Sequence, residues 1–446
     1  MMKMVILLLL GMAHILARAT EILIFSERQS SSAAKTAPRI VLLTAKPAMV
    51  TLTVDFTSIV ARIGIPLSRV LQSLMGLMVA GIVQGYVLEE VYFALAPHPQ
   101  SLIISLMYNF ANEGGGIYCK GSEYGPSSPV IINNIITGNS AGYTGGGIFC
   151  DSSFAIITNN VITGNWGHWG GGITCLNHSS PTIQNNIVEG NFAAGNTGGV
   201  YCQDSHITLI GNVIKGNLGD GGIGGIGCLD SSATIMNNLI VGNHSGDDFG
   251  GGIRSIRSTL TITNNTIAGN SRDGINALGY VEVINCIVRG QAPISEGLTV
   301  AYSNVEGGYE GAGNIDDDPC FADGYYHLKS QAGRWDADKG QWTKDDVTSP
   351  CIDAGHPYSD WTAELWPHGN RINMGAYGGT PQASMSRKDL GNIADLNNDD
   401  FVDYNDMKLF TAEWLNQQVL LKEDLDRNGF VDLADFAIFA DNWLWP

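Results

Sequence analysis

One period governs this chain between about Gly114 and Gly290. Asn-Asn falls at Asn133-Asn134, Asn159-Asn160, Asn185-Asn186, Asn237-Asn238 and Asn264-Asn265, and Gly211-Asn212 fills the one gap. The step is about 26 residues, slightly longer at the end. Gly-Asn keeps the same beat at Gly138-Asn139, Gly164-Asn165, Gly190-Asn191, Gly216-Asn217, Gly242-Asn243 and Gly269-Asn270. A glycine run before an aliphatic is the third marker, at Gly147-Ile148, Gly172-Ile173, Gly199-Val200, Gly225-Ile226 and Gly252-Ile253. Three markers on one period signal a repeat architecture. The apolar runs, such as Thr182-Ile183 and Ile187-Val188, are too short for helices and lack a 3.6-residue spacing. Asn and Gly accept a left-handed backbone, so both markers place bends. Three strands and three bends per unit make one triangular coil. Stacked coils pair their strands in parallel, about 4.8 Å apart.

Two positions are aliphatic in every unit. One is Ile131, Ile157, Ile183, Leu209, Ile235 and Ile262; the other is Ile136, Ile162, Val188, Ile214, Ile240 and Ile267. Both should point inward and stack coil on coil. Cys119, Cys150, Cys175, Cys202 and Cys228 follow the glycine run on the same side as the aliphatic, by strand alternation. There a thiol packs as a small hydrophobe. Without CxxC pairs or regular histidines, a metal ladder is the weaker reading. Gly222 to Gly227 matches the GxGxxG nucleotide fingerprint, which works only between a strand and a helix. Here it sits on the repeat beat, so its glycines are bend residues. The units, with a TIxNNxIxGN…GGGI pattern, resemble the bacterial pectate-lyase-like β-helix family over about 175 residues. That resemblance implies a mainly β fold, a right-handed parallel β-helix solenoid over residues 111–290.

The chain carries 43 Asp and Glu against 24 Lys and Arg, a net charge of −19. This argues against nucleic acid or an anionic membrane as partner and for cation binding. Residues 1–19 read as a secretory signal peptide: Lys3, an apolar run from Met4 to Leu16, then Ala17-Arg18-Ala19. The mature chain is then secreted or held at the cell surface; the alternative is a short membrane anchor, against which the run is short for a spanning helix. Residues 20–110 form an atypical N-terminal segment, with five acidic and six basic residues and a single asparagine, Asn109. Three readings stay open for it. It is a cap of the kind solenoids need, a stretch displaced by a shifted reading frame, or a membrane segment over Val70 to Leu88. Gln72, Ser73 and Gln84 oppose the last.

Residues 291–384 lose the period. Their markers, such as Ser349-Pro350-Cys351-Ile352-Asp353-Ala354-Gly355 and Asn373-Met374-Gly375-Ala376-Tyr377, resemble the C-terminal tail that closes secreted bacterial β-helix proteins. That resemblance allows Cys320 to pair with Cys351. Residues 385–393 read as a linker.

Residues 394–446 hold the sharpest motif. Oxygen side chains stand at loop positions one, three, five, nine and twelve in Asp395, Asn397, Asp399, Asp403 and Asp406. They return in Asp424, Asp426, Asn428, Asp432 and Asp435. The carbonyls of Phe401 and Phe430 would supply position seven. This spacing wraps a loop around Ca²⁺, the expected cofactor. Gly429 provides the sharp turn in the second loop; Asp400 stands there in the first and should strain it. Phe410, Trp414 and Leu415 lie 29 positions before Phe439, Trp443 and Leu444. Such duplicated loop–helix units, with Asp at position twelve, resemble the type I dockerin module. That resemblance implies a small α-helical paired Ca-loop module that docks onto a cohesin-like domain. The family's contact positions hold Tyr404-Asn405 and Leu433-Ala434 here, where Ser-Thr is frequent, so the partner's identity stays open.

Relatives of the solenoid cleave acidic polysaccharides through Ca²⁺ with a basic residue or through paired carboxylates. Asp204 and Asp230, two residues after their Cys, and Arg254 in the next coil are the candidate catalytic residues; Asn177 and Asp151 hold comparable places. A polar bend residue is needed in every coil, which explains them equally well. The RxPxxR and GHG patterns of pectate lyases and polygalacturonases are missing. Trp166, Trp169 and Tyr201 are candidates for stacking on sugar rings. Three functions remain: a secreted component that binds or processes extracellular polysaccharide, a polysaccharide lyase or glycoside hydrolase, and a non-catalytic surface or adhesin-like protein.

Overall fold

The computed structural model describes residues 105–445, apart from 123, 124, 248, 249, 291 and 389, together with three strands upstream. These are Ile22–Phe25, Ile40–Thr44 and Leu52–Val54, paired as an antiparallel sheet. The signal segment 1–19 and the stretch from Val70 to Leu88 lie outside the described residues. No helix among the described residues is long and apolar enough to cross a membrane. The chain divides into two compact units: residues 1–208 with 216–231, and residues 209–215 with 232–446.

Parallel ladders build the first unit. One contains Ser105–Met107, Ile135–Thr137, Val161–Thr163 and Ile187–Glu189. A second contains Phe110–Glu113, Ser140–Thr144, Trp166–Gly167, Phe192–Ala193 and Leu218–Gly219. A third contains Ile117–Lys120, Ile148–Asp151, Ile173–Leu176, Val200–Gln203 and Ile226–Leu229. A fourth contains Val130–Ile132, Ile156–Thr158 and Thr182–Gln184. A coil here has four short strands rather than the expected three. The extra break is a left-handed corner at Ser152, Asn177, Asp204 and Asp230, with φ of 53°, 56°, 48° and 49°. In the second unit the same side runs as one strand, Ile253–Thr263, with a register shift between Ile256 and Thr259 and the same left-handed corner at Arg257, φ 47°.

The inward positions are as expected: Ile157, Ile162, Ile183 and Val188 are fully buried. So are Cys150, Cys175 and Cys202, all free thiols in register on neighbouring strands. The glycine runs serve close approach as well as bending. A Cβ on Gly172 would stand 2.6 Å from the carbonyl oxygen of Gly199. The GxGxxG stretch leads into the strand Ile226–Leu229, not a helix.

The asparagines divide the work. The first of each pair takes the left-handed bend, with φ of 57° at Asn133 and 56° at Asn159. The second turns inward, a role the sequence reading missed. The Asn134 backbone N–H and Nδ2 donate to Asn160 Oδ1 at 2.9 and 3.1 Å. Asn160 Nδ2 donates back to the Ile131 carbonyl at 2.9 Å. A parallel ladder follows each Gly-Asn, through Asn139, Asn165, Asn191 and Asn217. These side chains satisfy backbone groups at corners where strand pairing is interrupted.

Strand pairing reaches beyond residues 111–290 in both directions. At the start, Tyr108 takes the left-handed place that glycine holds later (φ 58°), and Asn109 joins the ladder by donating to Asn139 Oδ1. In the second unit the ladder runs from Asn238 to Asn265, Cys286 Sγ, Ser303 Oγ and Asn314 Oδ1. The successive spacings are 27, 21, 17 and 11 residues. The coils shorten, so a fixed-period reading stops while the stacking continues to Asn304–Val305.

The closing region packs on these last coils. Gly375 N–H donates to the Asn285 carbonyl at 2.8 Å, and Met374 N–H to Cys351 at 2.9 Å. Asn237 Nδ2 donates to the carbonyls of Ala376 and Gly378. The pairing allowed for Cys320 and Cys351 is not formed: both are free thiols. Cys351 is buried among Ile287, Leu328 and Met374, and its sulfur accepts from Asn304 Nδ2 at 3.0 Å. Residues 385–393 do not begin as a linker. Met385 and Ser386 are buried, and Met385 N–H donates to the Gly333 carbonyl.

Candidate functional site

Two acidic loops occupy the end of the second unit, each leading into a short helix, α1 (Tyr404–Ala412) and α2 (Leu433–Asp441). Phe410 and Phe439, one from each helix, stack at 5.3 Å between ring centres. Val402 and Val431 are buried beside them. The two loops do not join through these valines. Val402 exchanges backbone hydrogen bonds with Leu444 and Trp445 after α2, and Val431 with Leu415 and Asn416 after α1. Each loop is thereby fastened to the end of the opposite helix.

In the first loop, oxygens of Asp395, Asp399 and Asp406 all lie within 4.8 Å of one another; in the second, those of Asp424, Asp426 and Asp435 do. Asp395 accepts from the N–H groups of Asp399 and Asp400, and Asp424 from those of Asn428 and Gly429. Asp406 and Asp435 are fully buried and accept from Leu396 and Asp426 N–H respectively. Asp403 and Asp432 cap the helices, accepting from Asn405 and Ala434 N–H at 2.7 Å each, with Asp406 and Asp435 completing capping boxes. Asn397 Oδ1 and Asn428 Oδ1 accept from Asp399 and Phe430 N–H within their own loops. The rings of Phe401 and Phe430 are exposed. Asp400 adopts φ 69° where Gly429 adopts 90°. Burial raises the pKa of Asp395 and of Asp424. An all-oxygen donor set of this kind fits a hard divalent cation.

Asp204 and Asp230 are exposed at successive left-handed corners of the first unit. Asp and Asn tolerate that conformation better than most residues, which accounts for their recurrence there. Asp151 is held by Tyr118 Oη at 3.0 Å and Asn177 Nδ2 at 2.7 Å. Arg254 lies in the second unit, half-buried on the long strand, paired in register with Asn276. Burial lowers its pKa.

The aromatic candidates part company. Tyr201 is buried, its hydroxyl donates to Gln203 Oε1, and burial pushes its pKa up to about 12. It is unavailable to a sugar ring, because the outward side of its strand is covered: Thr174, its register partner, is buried too. Trp166 and Trp169 are exposed, and Tyr143 lies 6.3 Å from Trp169 between ring centres. Trp166 shares an outward register column with Phe110, Ser140, Phe192 and Leu218, while Ala141 and Ala193 face in.

A family model described as a right handed beta helix region matches residues 100–244, and one described as disaggregatase related matches residues 197–355. No curated protein and no solved structure matches the chain. The second match covers the tapering coils and part of the closing region, and the pair fits a polysaccharide-related or surface β-helix protein. Repeat period, parallel register and family match together make this chain a right-handed β-helix protein.

Proposed function

We propose that this is a secreted protein that binds or processes extracellular polysaccharide and attaches to a partner through a calcium-dependent, dockerin-like module. The observation that carries the glycan half is the aromatic flank of the first unit. Trp166 and Tyr143, on neighbouring strands of a ladder spaced about 4.8 Å, and Trp169, in the bend just after Trp166, present rings to solvent. Flat sugar faces stack on such rings, and three neighbouring exposed rings are a stronger signal than one isolated apolar residue. The attachment half rests on the duplicated acidic loops. Tyr404 and Leu433, at the equivalent position of each, are both largely exposed and offer the partner an apolar contact. The partner is of the cohesin type.

A glycan screen with and without Ca²⁺ tests the first half. Retention on acidic polysaccharide, reduced by Trp166→Ala, is the expected result. New reducing ends would show hydrolysis, and absorbance from a new double bond would show elimination. Binding to no glycan would leave a surface or adhesin-like role.

A further inference from the structure

A pocket of about 520 Å³ opens in the second unit, between the closing region and the second acidic loop. Its lining includes Lys344, Trp366, Arg387, Lys388 and Arg427, and among the described residues no carboxylate. Four cations in one concavity run against the grain of a chain with 43 acidic and 24 basic residues. Two of them already have partners. Arg427 donates to the carbonyls of Leu421, Asp424 and Trp366 at 3.1, 2.7 and 3.2 Å. Lys388 Nζ stands 3.3 Å from Asp353 Oδ2. Lys344 and Arg387 are exposed, and neither has an acidic partner among the described residues.

We propose that this pocket binds an acidic sugar residue. Lys344 and Arg387 take its carboxylate through charge-assisted hydrogen bonds, and the Trp366 indole faces the sugar ring. The volume suits one or two sugar units. The surrounding negative chain makes the pocket selective, since an anion gains only at this concentration of positive charge. The sugar ring rests on the polysaccharide reading above; the anionic chemistry is carried by the pocket itself. Because Leu425 and Arg427 belong to the second acidic loop, the wall is built partly from the proposed calcium module.

The test is calorimetric titration of the full-length protein in Ca²⁺ with a hexuronic acid trisaccharide, a neutral trisaccharide and inorganic phosphate. The acidic trisaccharide should bind at least about tenfold more tightly than either other probe. Lys344→Ala with Arg387→Ala should lose about tenfold in affinity while melting at the wild-type temperature. Equal binding by wild type and double variant would overturn the proposal, as would no binding of the acidic trisaccharide or phosphate binding as tightly. Glycan binding that survives the double substitution but falls with Trp166→Ala would overturn the pocket alone. The polysaccharide reading would then stand.

Discussion

Asn160 sits buried between neighbouring coils. Its Oδ1 accepts from the Asn134 backbone, and its Nδ2 donates to the Ile131 carbonyl. Asn160→Leu keeps the branched shape in a larger side chain and removes both bonds, leaving at least the Asn134 N–H unpartnered at a cost of about 1–3 kcal/mol. Asn159→Gly, at the adjacent left-handed bend, should stay within about 0.5 kcal/mol. Urea unfolding of both variants checks this, and similar losses would refute the division of roles. Asn-Asn is legible in sequence as a bend, but nothing in the dipeptide says which asparagine faces in; only the coil-to-coil register decides it. The same register makes Ile183→Asp collapse the stack, as a buried unpaired carboxylate costs several kcal/mol, while Glu189→Ala should change little. Equal melting temperatures for these two would contradict the strand register. Glu364, fully buried in the closing region, accepts from Asn373 and Gly379 N–H, and burial raises its pKa to about 8. Its folded pKa lies above its unfolded one, so its contribution is fully present below about pH 4.5 and is lost as pH rises to about 8. Glu364→Gln keeps both acceptor bonds and should flatten that part of the pH–stability profile. An unchanged slope between those limits would refute it.

At the scale of the element, the corner and the loop show what pattern reading reaches. The corner holding Asp204 and Asp230 reads from sequence as a groove of carboxylates or as a repeated bend. Their φ values and exposure favour the bend. Asp204→Asn and Asp230→Asn should therefore leave any glycan cleavage intact, and loss of cleavage in a folded variant would restore the catalytic reading. The acidic loops are legible because ligand spacing is local. Their fastening to the far ends of the opposite helices is not, because it depends on tertiary pairing between residues such as Val402 and Leu444. Asp400 holds φ 69°, where Asp, though better tolerated than most side chains, still costs up to about 1 kcal/mol relative to glycine. The second loop should bind Ca²⁺ more tightly, so Asp424→Ala should cost more affinity than Asp395→Ala. Asp400→Gly should tighten the first site severalfold. Calorimetry on the three variants checks the order, and the reverse order would contradict the strain argument.

Over the whole molecule, the sequence shows the period and misses the taper. Coils of fixed length repeat their markers, whereas the shrinking coils substitute Cys286 and Ser303 for the ladder asparagine and keep the left-handed bend at Asn285 and Tyr302, so the bend persists while its marker dipeptide is lost. The acidic loops meet the opposite problem. Their residues are plain in the sequence, and their occupancy depends on a ligand. Burial raises the pKa of Asp424, so its ionised form works against the fold at neutral pH until a cation offsets it. Ca²⁺ that binds only the folded loops stabilises them by mass action. The most direct test is calorimetric titration of the full-length protein with Ca²⁺, followed by Trp fluorescence for Trp414 and Trp443. Two ions should bind per chain at these loops, one lost with Asp395→Ala and one with Asp424→Ala, and the fluorescence should shift on chelation. Ca²⁺ binding untouched by both substitutions, or no binding at all, would contradict the account.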